Sequence, residues 1–484
     1  MKVKSEQFRE VAIEELKTRH TRSHLDVIGL FISEMRRASM GTFPDPSAAL
    51  ELGRAIRAES IERLPELLEE FERNATANGA VVHWARDADE ANALILRIAQ
   101  ERNVRLVTKG KSMVTEETGL NDVLIENGLE VFETDLGEFI IQLLGRPPFH
   151  IQGPALNIPV QEICDLFMEK GIMNEPTLDP VELGHAARVF LRNKFHHVDM
   201  AITGVNFAVA QTGTIINVEN EGNIRLTKSS PRTQVSVMTL EKVVPTMQDA
   251  MHMLRLLCRN CTGQKIASYV SMDSGPNKGR EVDGPRELFI VILDNGRSSF
   301  YRDPEVREIL RCIRCGVCML ECPVYGKIGG YPYGWAYSGP MGQVLNPLML
   351  GLERTQDLYR ACTFCGGCKT ACPAGIDHPQ KFLYYRAKDV EGDPRYKGKR
   401  RPWTESSFMG IFTWVTKRRW RWNLGIKAAR PFLNRHVEQG FIRGMKGPVE
   451  GWFKSRDFPA MAEKTFHDRM QERGSRESGE PSRS

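Results

Sequence analysis

The sequence predicts an α/β domain on an open, mostly parallel sheet, followed by a small helical module rich in cysteine and a helical C-terminal segment. Three observations carry this. Between residues 80 and 295 short apolar runs alternate with amphipathic stretches, the pattern of parallel strands joined by helices. Two four-cysteine runs of identical spacing follow, at 312–322 and 362–372. From about residue 391 the chain turns basic and aromatic.

Element by element, residues 1–75 read as a polar helical segment, with EELKTRHTRSHLDVIGLFISEMR (14–36) carrying apolar positions at helical spacing. Residues 76–300 form the α/β domain. AVVHW, VRLVT, EVFET and HIQGP are expected as strands, and DEANALILRIAQERN and GEFIIQLLG as helices between them. TIINVEN, NIRLT and QVSVMTL, with the turn-like NEGN after the first, predict a β-rich addition to the same domain. ELFIVILDNG (287–296) is its last strand, and GRSSFYRDP (296–304) is read as the boundary. Residues 301–390 hold the cysteine runs, 391–470 a basic aromatic helical segment, and 471–484 an apolar-poor tail expected to be disordered.

The bulk numbers exclude several classes. The 484 residues are 41% hydrophobic and 26% charged, with net charge +5. That charge is small for the length and does not indicate a nucleic-acid binder. The N-terminal stretch carries early acidic residues and no apolar core, so it does not read as a secretory signal. No run approaches 18 uncharged apolar residues, so no membrane-spanning helix is predicted. The expected location is cytoplasmic, with any attachment to the inner membrane made peripherally through partners. The odd count of eleven cysteines, eight of them in two clusters, indicates metal or redox chemistry rather than a disulfide framework.

Both runs fit C-x2-C-x2-C-x3-C-P: CIRCGVCMLECP from 312 and CTFCGGCKTACP from 362. Three thiolates three residues apart on a turn can hold three corners of a cubane, and in the two-cluster arrangement the fourth cysteine of each run serves the other cluster. The expected ligand sets are therefore Cys312, Cys315, Cys318 and Cys372 for one [4Fe–4S] cluster, and Cys362, Cys365, Cys368 and Cys322 for the second. Zinc sites use four ligands, usually as two separate CxxC pairs, which a doubled run with trailing prolines fits poorly. Gly316, Gly366 and Gly367 let backbone approach the sulfurs closely. The long insert between the runs, 323–361, resembles the α-helical ferredoxin module of succinate dehydrogenase and heterodisulfide reductase iron–sulfur subunits. Its Tyr331, Tyr333, Trp335 and Tyr337 are expected either to pack over the clusters or to be ordinary loop packing.

The α/β region carries weaker signals. Gly110-Lys111-Ser112 suggests a phosphate loop, but the pattern needs glycine where Arg105 stands. What remains is Lys109, Lys111 and Ser112 where a strand meets a helix, a place suited to an anion or equally a solvated basic turn. Gly204, Asn206, Thr212, Gly213, Thr214, Asn220, Glu221 and Asn223 form a polar rim around two strands, as pockets in open α/β sheets have and as turns also have. Asp135 and Glu138 are an acid pair or a helix cap. His150 and His185 read as structural. Cys258 and Cys261, a lone CxxC on an expected helix, read as buried thiols. There is no GxGxxG, serine elbow or HExxH, so no catalytic residue is assigned.

KGKSMVTEETGLN, EVFETDLGEFIIQL, ITGVNFAVAQTGTI, VENEGNIRL and LDNGRS together resemble the lactate-utilization (LUD) domain. With two ferredoxin-type runs behind it, the chain over about 70–460 resembles the lactate utilization protein B family. That resemblance implies a sheet similar to the ribose-5-phosphate isomerase and CoA-transferase folds. It also implies action alongside lactate utilization proteins A and C in oxidising L-lactate to pyruvate. The family's metal ligands fall on the eight cysteines above.

The functional expectation is an electron-transfer component rather than a catalytic subunit. Its rivals are an α/β domain that itself binds and oxidises a 2-hydroxy acid, with Lys109, Lys111 and the 204–223 rim on the carboxylate, and a redox-sensing scaffold. Residues 400–432 join seven Trp and Phe to eight Arg and Lys. They are read as a partner-docking or packing segment ahead of an interfacial membrane helix.

Overall fold

In the computed structural model, which describes residues 3–279, 281–447, 450–453 and 456–478, Met1–Arg400 forms one compact unit and Arg401–Ser484 another. The first is built on a six-stranded sheet of β1 (Val81–Ala85), β2 (Leu106–Lys109), β3 (Glu130–Glu133), β4 (Met200–Gly204), β7 (Thr233–Thr239) and β10 (Glu287–Leu293). Their order is β1-β10-β7-β4-β2-β3, with every neighbouring pair parallel. The central strands are apolar because helices cover both faces: β7 and β4 are buried almost throughout. A smaller sheet, ordered β8-β5-β6-β9, joins β5 (Phe207–Val209), β6 (Thr214–Glu219), β8 (Val243–Val244) and β9 (Tyr269–Asp273). Of the predicted β-rich addition only TIINVEN lies here, as β6; QVSVMTL is β7, a central strand of the parallel sheet, buried throughout.

Two expected strands are not strands. HIQGP forms an irregular loop ending near Pro154. NIRLT forms the helix Asn223–Ser229 instead. Gly222 enters it at φ 74°, and the Glu219 carboxylate accepts from the amides of Ile224 and Arg225 at 2.6 and 2.8 Å. A carboxylate on the first free amides favours a helix start over the β-propensity of Ile and Thr.

The expected boundary at 296–304 is a packed joint. It folds as the helix Arg297–Arg302. Arg297 is fully buried between Glu117 and Glu241, at 2.7 and 3.0 Å, and Phe300 sits in the core of the cysteine module. The N-terminal segment is likewise no separate body. The single helix expected from 14–36 is interrupted at 16–18 and resumes as Arg19–Met40. Ser5 donates to the Tyr333 carbonyl at 2.8 Å, the Lys4 amide donates to Gly334, and Phe8 packs edge-on against Tyr333. Residues 3–15 thus strap the cysteine module.

In the second unit, helices Trp403–Thr416 and Arg419–Leu433 pair, and neither buries a residue. Short strands Val437–Glu438, Phe441–Ile442 and Phe458–Pro459 pair antiparallel. A helix, Phe466–Ser478, occupies the start of the segment expected to be disordered; residues 479–484 of that segment lie outside the described residues.

Candidate functional site

The two cysteine runs fold as copies of one backbone. Arg314 and Phe364, two residues after the first cysteine of each run, have φ 61° and 56°; Gly316 and Gly366 follow at 75° and 80°. These left-handed positions curl the chain so that amides face sulfur. Arg314 N–H points to Cys312 Sγ at 3.4 Å and Phe364 N–H to Cys362 Sγ at 3.3 Å. The fourth cysteines receive amides as well, Cys322 from Tyr325 at 3.5 Å and Cys372 from Ile376 at 3.4 Å.

The fourth cysteine of each run lies with the other run. Cys372 packs against Cys312 and bears electrostatically on Cys315 and Cys318. Cys322 feels Cys362 and Cys365, and Cys368 feels Cys362, Cys322 and Cys365. Burial raises every one of these thiols for which a shift is resolved, and neighbouring thiolates add to it; Cys372 is raised to about 11. Among the described residues no three His, Cys, Asp or Glu side chains converge as ligands of a single ion. Thiols with amide donors turned toward sulfur fit iron–sulfur chemistry.

The insert's aromatics divide. Tyr333 is buried and senses Cys322, Cys318 and Cys362. Tyr337 lies under the Arg314 guanidinium, 5.1 Å from its ring centre, and donates to Glu117 at 2.5 Å. Tyr331 contacts Phe149 and Asn157 instead, and Trp335 packs edge-on against Tyr337.

A cavity of about 280 Å³ opens at the carboxyl ends of β2, β4 and β7, where open α/β sheets bind ligands, and reaches the first cysteine run. The Gln152 side chain donates to the Cys315 carbonyl at 2.5 Å, while the Gln152 main-chain carbonyl accepts from Lys111 at 2.8 Å. A Cβ on Gly316 would lie 2.7 Å from the Gln152 side-chain nitrogen and would displace it, and the φ of 75° itself favours glycine.

Of the expected pocket residues, Lys111, Ser112, Gly204, Asn206, Asn220, Glu221 and Asn223 line this cavity. Lys109, Thr212, Gly213 and Thr214 do not. Lys109 is buried against Glu133 at 2.6 Å and Glu116 at 3.4 Å, so its charge is already matched. Gly213, at φ 65°, sits in the β5–β6 turn against the backbone of Ala75, and Thr214 bonds Ser274 at 2.8 Å. Ser112 caps a helix of only six residues. Most rim polar groups hold turns: Asn206 accepts from the Val218 amide, Asn220 from Ser268, and Glu221 from Leu136. Asp135 caps its helix through the Glu138 amide, which settles the expected acid pair as a cap.

Sequence reading found Lys111 but missed two further cations of the cavity, Lys242 and Arg314. Lys242, just after β7, is 7% exposed and lines the cavity. Burial lowers its ammonium to about 8, with Arg314 adding and Glu241 opposing. Arg314 gives one nitrogen to Glu241 at 3.1 Å, and its other terminal nitrogen is buried without a hydrogen-bond partner. Burial disfavours the Glu241 carboxylate, yet Arg297 and Arg314 outweigh it and hold the group down at about 2. Alternation marked β7, but nothing in it shows that the turn behind it reaches the cysteine run. Cys258 and Cys261 line the same cavity, and burial raises both thiols, Cys261 to about 12.

Family models match along the chain: LUD domain over 68–293, 4Fe-4S dicluster domain over 308–376, and lactate utilisation protein B, C-terminal, over 383–475. Lactate utilization protein B of Bacillus cytotoxicus is 40% identical over 86% of this chain and 87% of that one. The chain belongs to the lactate utilization protein B family. The family's Geobacillus kaustophilus member is also 40% identical, over 89% of each chain. A solved DUF162 family protein from Deinococcus radiodurans aligns over 48% of this chain and 98% of its own, at 16% identity and TM-score 0.28. With its 4Fe-4S dicluster match, this member of the family carries an iron–sulfur domain following a LUD domain. Among the described residues no helix is long and apolar enough to cross a membrane.

Proposed function

We propose that the chain is the iron–sulfur electron-transfer component of an L-lactate oxidation system, relaying electrons through two [4Fe–4S] clusters. The observation that carries this is the exchange of Cys322 and Cys372 between the two runs. When bound, such clusters supply one-electron transfer. The chain's own part is to hold them close together, turn amides toward their sulfurs and keep water from the inner set, whose Cys315 and Cys318 are buried. The family name supports lactate as the source of electrons; lactate utilization proteins A and C are the partners this reading names. The exposed aromatic helices Trp403–Thr416 and Arg419–Leu433 suit partner docking. Sedimentation with anionic vesicles tests the rival, since binding there would make them a membrane contact.

The test is Cys372→Ser against Cys322→Ser in anaerobically prepared chain. Two clusters give about eight irons per chain. Each substitution is expected to disturb the centre of the opposite run, read by electron paramagnetic resonance and by iron and acid-labile sulfide. Colourless protein, or loss of the centre in the substituted run alone, sinks the relay as described. Bleaching by L-lactate only after partners are added supports a relay; bleaching of the isolated chain transfers the oxidation to the α/β domain.

A further inference from the structure

Where the sheet meets the first cysteine run, positive charge outnumbers negative. Arg57, on the helix Pro46–Glu62, is 1% exposed. Its guanidinium donates to four main-chain carbonyls, those of Leu310, Arg311, Val243 and Glu241, at 2.6–3.1 Å. Two of these carbonyls belong to the residues immediately before Cys312. Carbonyls satisfy its hydrogens but cancel no charge, and among the described residues no carboxylate pairs with it. Lys242 is buried, lines the cavity that reaches the run, and likewise has no ion pair among the described residues. Arg297 and Arg314 are already matched, since they share the carboxylates of Glu117 and Glu241. The positive charge left over is that of Arg57 and Lys242.

Unmatched buried charge is costly, so this joint lacks an anion, and the first run can supply it. Both cations sense Cys312. A cluster held by thiolates is net negative and gains a further negative charge on reduction, and net charge is one of the levers on its potential. Burial lowers Arg57 to about 10 and Lys242 to about 8, so both stay charged at pH 7. Burial of Cys315 and Cys318 works the other way, because low-dielectric surroundings penalise the added electron. Amides do not separate the two runs: each turns one toward its first cysteine and one toward its fourth. Charge does separate them. Phe364 stands where the first run has Arg314. Beside the second run Arg360 is paired with Asp389 at 2.7 Å, and Arg386, which bears on Cys362, is only part-buried.

We propose that Arg57 and Lys242 are the built-in counter-charges of the first-run cluster, raising its reduction potential against the burial that lowers it. The inference goes beyond the relay reading and rests on it. Without these cations, unlike burial would pull the two centres apart in potential and stall electron exchange between them. Neither residue is a ligand; both act through charge alone, as positioning residues for the electron.

The test is a redox titration of the full, anaerobically prepared chain at pH 7, followed by electron paramagnetic resonance, with iron and acid-labile sulfide measured on the same samples. The first-run centre is identified as the one that Cys315→Ser disturbs. Lys242→Gln, which loses no hydrogen bond, is expected to move that centre to lower potential. The ratio of reduced to oxidised centre at a fixed potential should fall about tenfold, which is about 59 mV for one electron. Arg57→Met is expected to do the same, and the second-run centre should stay where it is. Lys242→Arg and Arg57→Lys, which keep the charge, are expected to restore most of the shift. Should Arg57→Met fail to fold, Lys242→Gln against Lys242→Arg decides alone. An unmoved first-run centre in iron-replete Lys242→Gln overturns the proposal. So does an equal shift of both centres, or a Lys242→Arg shift as large as that of Lys242→Gln, because charge at this place is then not the cause. Those results leave the clusters standing; wild-type protein that never takes up iron defeats the cluster reading itself and this inference with it.

Discussion

At Gly316 two demands meet in one residue. Its φ is 75°, and a Cβ there would lie 2.7 Å from the Gln152 side chain and 3.1 Å from Ile151. A side chain at this left-handed φ is strained, and its Cβ would also push the Gln152 side chain aside. Gly316→Ala is expected to cost about 1–3 kcal/mol from backbone strain and to loosen the first run from the loop at 152. The check is a lower melting temperature together with a changed signal from the inner centre. His150 presents a different residue-scale case. Burial, then Lys111, lowers it to about 3, and its Nδ1 accepts from the Gln152 amide at 3.0 Å. Because the folded value lies below the unfolded one near 6.5, its contribution to stability is complete above pH 6.5 and drains away as pH falls toward 3. The slope is at most about 1.4 kcal/mol per pH unit. His150→Asn is expected to flatten the fall of melting temperature between pH 6.5 and 4; an unchanged slope refutes the assignment.

At the scale of elements, the joint between sheet and cysteine module is ionic. Glu117, Arg297, Glu241 and Arg314 run from the helix after β2, through the helix after β10 and the turn after β7, to the first cysteine run. Glu117 and Arg297 are wholly buried. Removing one member of such a chain strands its partner's charge, at about 3–5 kcal/mol. Glu241→Ala is expected to lose that much in denaturant unfolding; a loss under about 1 kcal/mol, the value of an exposed pair, refutes the joint. The wild-type contribution of Glu241 is present above about pH 4.5 and lost as pH falls toward 2. This joint explains what sequence could and could not reveal. Cysteine spacing is a local signal, so the eight thiols were legible. The parallel strands were legible because apolar runs record double-sided burial. Lys109 misled because its partner Glu133 lies on a different strand. Lys242 and Arg314 went unseen because their meeting depends on a long-range approach that no local pattern records. NIRLT misled because a carboxylate cap outweighed β-branched composition.

For the whole molecule, residues 3–15 bind where the insert passes over the thiols, through Ser5, Lys4 and Phe8 on Tyr333 and Gly334. Arg9 reaches Asp357, and Arg354 pairs with Glu6. Deleting residues 1–17 is expected to uncover Tyr333 and speed loss of visible absorbance in air several-fold, with the sheet's hydrogen-exchange protection unchanged. Equal bleaching rates show the strap to be ornamental.

The two copies of the cysteine turn do not share one environment. Cys315 lies buried beside the cavity, whereas Cys365, its counterpart, is exposed. Dioxygen and chelators therefore reach the outer copy first. On the two-cluster reading proposed above, ageing material is expected to pass through a half-emptied state that keeps the inward iron, and covering Cys365 would slow that loss.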